Sequence, residues 1–182
     1  MLKEIPLNEA TRIINHGPVV LVSSVSGNRR GLTPVAWTMP VDKSPPTILL
    51  EICEDHFIYD CIMKTGDFVV NIPSRSMAKI VTGCGACSGR DKDKFLEFGL
   101  ETTKSSKVVS PGVKGSLAFL ECELVRDSYL LDKYNLVMGM VKYAEAEEEA
   151  FSGHWLFEKE EFLTLHHLGN NIFCCPEKKL IV

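Results

Sequence analysis

"PVVLVSSVSGNRRGLTPVAWTMPV", Pro18 to Val41, is the stretch whose reading decides the fold. Its first part is a short β-branched run to Ser26, and "GNRRG" after it carries the Gly and Asn of a hairpin turn. "LTPVAWTMPV" then reads as the returning strand, so the two are expected to pair antiparallel. Pro34 puts that strand at an edge or a bulge, because proline gives a ladder no N–H.

Outward from this hairpin, "PPTILLEICE" (45–54) is a third strand, kept from starting earlier by its two prolines. "HFIYDCIMKTG" carries Phe57, Cys61, Ile62 and Lys64 at helical spacing and ends at Gly66, where a C-terminal cap wants glycine. "DFVVNIP" (67–73) returns to β. Ser74 is expected to cap a short helix through "RSMAKIVTG", and Asp91 to start another through "DKDKFLEFG". Residues 101–115 turn to Ser, Thr, Lys, Gly and Pro and read as a surface loop. "SLAFLECELVRDSYLLD" and "YNLVMGMVKYAEAE" alternate as two long antiparallel strands joined near Asp132. A short strand and a turn-rich tail close the chain.

About six strands with short inserted helices, and no alternation of strand with long helix, favour a mainly β fold closed as an antiparallel barrel over a doubly wound sheet. The 182 residues, 45% of them hydrophobic, are expected to form a single domain over 1–182. A net charge of -4 without a basic tract gives nucleic-acid binding little support. No apolar run is long enough to span a bilayer, and a cytoplasmic location away from any membrane is expected. The seven cysteines are an odd number without a secretory signal, so most are expected to be reduced, with Cys53 and Cys122 acting as small apolar residues.

Chemistry concentrates in "CGACSGRDKDKF", Cys84 to Phe95. The Cys84/Cys87 spacing suits a dithiol pair or half of a metal site, whose second ligand pair would be His166 with His167 or Cys174 with Cys175. Redox pairs of this spacing usually open a helix, whereas this one follows a helix. The second half of the stretch supplies Ser88, Gly89, Arg90, Lys92 and Lys94, the hydroxyl, turn and cations that hold an anion. No Ser-His-Asp order and no nucleotide-binding Gly-rich loop is present, so no catalytic residue is assigned.

"PVVLVSS", "LTPVAWTMPV" followed by "PPTILLEI", "TGDFVVNIP", "CGACSGRDKDKF" and "LHHLG" together resemble, in order, the flavin reductase-like family with an FMN-binding split barrel, most closely its flavoredoxin branch. The resemblance implies a homodimer of six-stranded Greek-key barrels with one FMN per subunit. Electrons would pass through it between NAD(P)H or a redox protein and flavin, ferric chelates or a partner. It places Thr33, Val35, Ala36, Trp37 and Thr38 along the flavin ring, Ile52, Cys53 and His56 beside the ribityl chain and phosphate, and Ser88 and Lys94 on the phosphate. His166, His167 and Leu168 fall where the C-terminal segment nears the ring or the substrate. The chain departs from the family pattern at Arg30, where many relatives have Asn, and at Ile58, where many have a hydroxyl residue. Phosphate binding is therefore expected to lean on Lys94, Ser88 and His56. A metal- or thiol-based protein using Cys84 and Cys87 is the alternative.

Overall fold

The computed structural model describes residues 4–176 and Leu180. After α1 (Ala10–Ile14) come β1 (Val20–Ser26), β2 (Arg29–Val35), β3 (Thr38–Lys43), β4 (Pro46–Glu51), α2 (Phe57–Thr65) and β5 (Asp67–Ile72). There follow α3 (Ala78–Ala86), α4 (Lys94–Glu97), the paired β6 (Thr102–Thr103) and β7 (Gly112–Val113), then β8 (Ala118–Val125), α5 (Ser128–Tyr134) and β9 (Leu136–Ala146). The hairpin of β10 (His166–Gly169) and β11 (Ile172–Cys174) ends the described elements. Among the described residues no helix is long and apolar enough to cross a membrane.

One antiparallel sheet of seven strands, in the order β2-β1-β5-β8-β9-β4-β3, dominates the fold. The expected six become seven because "LTPVAWTMPV" is not one strand: it breaks at Ala36–Trp37 into β2 and β3. These two halves lie at opposite edges of the sheet. Six strand spacings of about 4.8 Å would hold flat edges about 29 Å apart. Three trans peptide units, Val35 to Thr38, span at most about 11 Å. The sheet must therefore curl until its edges meet at this join, giving a barrel closed by the chain rather than by a ladder. β4-β9-β8-β5 stand in Greek-key order: the α2 connection leads from β4 to β5, and β9, after β8, returns to lie beside β4.

Local choices agree with this frame. Gly27 (φ +61) opens the turn between β1 and β2, and Gly66 (φ +80) caps α2 by donating its N–H to the Ile62 carbonyl at 2.8 Å. Pro34 lies on the edge strand β2 and Pro40 on the edge strand β3, whose register shifts between Pro40 and Asp42. β1 opens on an unbroken apolar run, Val20 to Val22, because both of its faces are covered. Val20 and Val22 pack inward with Phe68, Val70 and Cys122, against Phe57, Ile58, Cys61 and Ile62 on one face of α2. Val19 and Leu21 pack outward with Val81 and Cys84 of α3 and Phe95 of α4.

Three local expectations are corrected. The helix after the Cys-rich stretch starts at Lys94, capped by Asp93 rather than Asp91, because the Asp93 carboxylate accepts from the N–H of Phe95 (2.8 Å) and of Leu96 (3.3 Å). β8 and β9 are joined through α5, not a plain turn near Asp132. Asp127 caps its start by accepting from Leu130 N–H at 3.1 Å, and Asn135 (φ +55) ends it in the left-handed region. The expected surface loop 101–115 is pinned to the sheet by buried polar side chains. Asp67 accepts from the N–H of Val109 and Ser110, Glu121 from Ser106 and Lys107, and Asn71 from Val113 at 2.7 Å. Each anchor supplies acceptors to amides of the loop.

Gly139 on β9 is a close approach: a Cβ there would lie 3.0 Å from Cys122 Cβ and from Phe68 Cε1. Overpacking of this kind costs about 1–3 kcal/mol. Gly139→Ala is expected to lower the denaturant midpoint accordingly, while Gly27→Asn, in an open turn that Asn tolerates, changes it little.

Candidate functional site

The loop from Cys87 to Asp93 is held by its own charges. Arg29 lies 4.0 Å over the Phe57 ring and donates to the carbonyls of Gly89 and Arg90, both at 2.9 Å. Arg90 pairs with Asp60 at 2.7 Å and donates to the Asp55 carbonyl. Arg30 grips Asp93 through Nε (3.1 Å) and Nη2 (2.7 Å) and sits 4.7 Å over Phe95. The departure from family pattern at Arg30 is thus a loop anchor. Lys92 pairs at the surface with Glu97 at 2.7 Å. Ile58 is a core residue on the inner face of α2.

Lys94 differs from the other cations. It is 5% exposed, and its Nζ donates to the Cys84 carbonyl at 2.5 Å. An ammonium carries three donors, so two remain for an acceptor in the adjoining cavity. That cavity, about 300 Å³, brings together Lys94, Ser88, His56 and Thr33, with Gly85 and Ala86 as its small-residue wall. Burial pulls the Lys94 pKa below its ordinary 10.5, opposed by Cys84 and Cys87. An anion there would favour the charged form.

Further cavities meet at the join of the barrel. One of about 140 Å³ runs beside Val35, Ala36, Trp37 and Ile52, sharing Pro34 and His56 with the first. A mostly apolar one of about 460 Å³ lies across Trp37 and Thr38 against Met39, Leu49 and Ile14. A fourth, about 290 Å³, lies between Ala36, Val81 and Phe173 and includes His167. The expected contacts Thr33, Val35, Ala36, Trp37, Thr38, Ile52, His56, Ser88, Lys94 and His167 therefore all border this set. Cys53, His166 and Leu168 line none of the four. Cys53 shapes the turn by accepting His56 N–H at 3.0 Å. His166 is half-buried near His16, burial lowering its pKa, and Leu168 is exposed.

The two residues inside the Cys-Gly-Ala-Cys motif, Gly85 and Ala86, border the cavity and were missed in the sequence. A Cβ on Gly85 would lie 3.3 Å from Pro34. The signal was the absence of side chain between two thiols. Cys84 is fully buried within α3, and its thiol is pushed up to about 11 by burial, with Lys94 pulling the other way. Cys87 stands at the C-terminal end of α3, whereas the thiols of activated pairs stand at a helix N-terminus. This is the reverse of the setting an activated dithiol needs. Among the described residues no three His, Cys, Asp or Glu side chains converge to hold a metal.

Residues 12–166 match the flavin reductase-like domain. The chain belongs to that family. The uncharacterized protein YddH of Escherichia coli (strain K12) is 32% identical over 180 residues, 97% of this chain and 95% of that one. An FMN-binding domain of a flavin reductases-like enzyme from Shewanella baltica superposes with a TM-score of 0.87 at 26% identity, covering 98% of this chain and 95% of that chain. The flavoredoxin of Desulfovibrio vulgaris (Miyazaki F) shares the fold, with a TM-score of 0.80 at 20% identity over 91% of this chain and 90% of its own.

Asp93 both caps α4 and holds Arg30, so Asp93→Ala is expected to cost about 1–2 kcal/mol in chemical denaturation, the upper part of a cap loss. Lys92→Ala, which breaks a surface pair, should stay within about 0.5 kcal/mol.

Proposed function

We propose that this protein is an FMN-dependent oxidoreductase or electron carrier of the flavin reductase or flavoredoxin kind. The observation that carries this reading is the buried Lys94 ammonium beside Ser88 and His56, in a cavity that opens along the edge Pro34–Trp37. A phosphate wants a cation and hydroxyl donors, and a flat ring wants an apolar strand edge with backbone donors. The residues present fit a flavin mononucleotide in both respects. The Shewanella baltica relative, described as FMN-binding, adds support.

Lys94 and Ser88 would hold the phosphate, His56 and Ile52 would flank the ribityl chain, and Val35 to Thr38 would lie along the ring. A bound flavin supplies hydride or single-electron transfer, so the chain needs no acid or base of its own. Its task is to orient the ring, exclude water from one face and leave the other open to a donor. That donor is NADH, NADPH or a redox protein.

A homodimer is part of the same proposal. Trp37 (52% exposed), Met39 (55%) and Ile14 (81%) leave an apolar face around the cavity of about 460 Å³, which a second copy would cover. Light scattering across a dilution series tests it, and a monomer at micromolar concentration would refute it.

Titration with FMN and then with each nicotinamide tests the main reading. Flavin bands that bleach with NADH or NADPH support a reductase, and bands that bleach only with a reduced protein support a carrier. A protein that binds no flavin would overturn both. Lys94→Met is expected to weaken FMN affinity by about 1.5–3 kcal/mol, the usual worth of a hydrogen bond to a charged group. Unchanged affinity would remove Lys94 from the site.

The same variant should stabilise the flavin-free protein. With its folded pKa lowered, Lys94 binds its proton less readily in the native state than in the unfolded one. The penalty is complete below that lowered value and fades as pH rises through it towards 10.5. Native stability is therefore expected to gain with pH in that alkaline window, a gain absent in Lys94→Met when both are followed by denaturation.

A further inference from the structure

The join Ala36–Trp37 closes the barrel without a ladder, so its peptide units and the Trp37 ring take their partners from elsewhere. One partner is backbone: the Glu51 N–H donates to the Trp37 carbonyl at 3.0 Å. The other is a side chain of the N-terminal segment. Asn15 ends α1, its own N–H donating to the Thr11 carbonyl at 3.1 Å. With the carboxamide turned so that both of its ends are satisfied, Oδ1 accepts from Trp37 Nε1 at 2.6 Å and Nδ2 donates to the Ala36 carbonyl at 3.3 Å. The opposite orientation would set the amide oxygen against a carbonyl and the amide nitrogen against an N–H, satisfying neither.

Asn15 is itself held from both sides. Before it stands α1, and past it the chain runs beside β10: His167 N–H donates to the Gly17 carbonyl at 3.0 Å, Val19 N–H donates to the Leu165 carbonyl at 2.9 Å, and Pro18 is bridged to His166. What this clasp holds borders two spaces. Trp37, 52% exposed, lines both the cavity of about 140 Å³ beside Val35 and Ile52 and the one of about 460 Å³ against Met39 and Leu49. A ring free to turn there would take space from one or the other.

We propose that Asn15 is a positioning residue for the cofactor groove, fixing the Trp37 ring and the Ala36 peptide before a ligand arrives. The proposal rests on the reading of that groove as a flavin site and adds to it a residue that acts only through others, since Asn15 borders neither the anion cavity nor the space beside Ile52. Its effect is preorganisation: a groove already in its bound shape spares the ligand the cost of ordering it. The residue type follows from the task. One side chain must accept from an indole and donate to a carbonyl, which a carboxamide does and a carboxylate or hydrocarbon of the same size does not.

NMR of the flavin-free protein reads the clasp directly. The Trp37 indole N–H, assigned by its loss in Trp37→Phe, is expected downfield of a solvated indole and slow to exchange. Asn15→Leu should return it to solvated values, while Asn15→Asp, whose carboxylate still accepts, should keep it shifted. FMN titration reads the positioning. Asn15→Leu is expected to bind FMN about five- to tenfold more weakly, the effect of ordering one large side chain on binding. Much less of that loss should appear when the substitution is made in Trp37→Phe, where the indole half of the clasp is already gone. A merely structural role would lower the denaturation midpoint without this non-additivity. A native Trp37 indole that exchanges as a solvated one overturns the clasp, whether or not flavin binds. A clasp that is present while Asn15→Leu keeps the native FMN affinity overturns the positioning role. Failure of the native protein to bind FMN is a distinct outcome: it removes the flavin reading and the positioning role with it, and the indole signal still decides the clasp.

Discussion

The whole arrangement depends on a length constraint. Two residues, Ala36 and Trp37, connect strands at opposite edges of a seven-stranded sheet, and no flat sheet can satisfy so short a tether. Curling brings the edges together but leaves them unladdered. The interior is filled by strand side chains and the apolar face of α2, so space for a ligand appears outside, around the seam, where four cavities meet. Burial in the barrel and openness at the seam are two results of one tether.

Around this frame, polar side chains act chiefly as anchors. Asn71, Asp67 and Glu121 bind the loop between α4 and β8, while Arg29, Arg30 and Arg90 bind the loop between α3 and α4. Each of these side chains is engaged by groups of the protein itself. Lys94 stands out because it is packed in place with capacity left over. That contrast separates groups that hold the structure from one able to hold something else.

Much of this was legible in the chain. Apolar alternation and turn residues marked the hairpin, α2 with its Gly66 cap, and the paired strands β8 and β9. What escaped was the break at Ala36–Trp37, because β propensity runs through it and the break follows from where the two halves must go. α5 escaped because "SYLLD" continues an apolar pattern, although Asp127 and Asn135 carried its cap signals. Within the site, Ser88 and Lys94 were visible as a motif. The separation of Lys94 from Arg90 and Lys92 was not, since it depends on Asp60 and Glu97 drawing the other two away. Gly85 and Ala86 escaped because a wall made of missing side chains leaves no chemical signature.

The prolines of the two edge strands have a consequence for assembly. Pro34 and Pro40 each remove an N–H from a border where another chain could hydrogen-bond, and the register shift after Pro40 bends that border away. Continuation of the sheet from one molecule to the next is thereby disfavoured at both edges. The proposed homodimer would then join through side chains near the seam and not by extending the sheet.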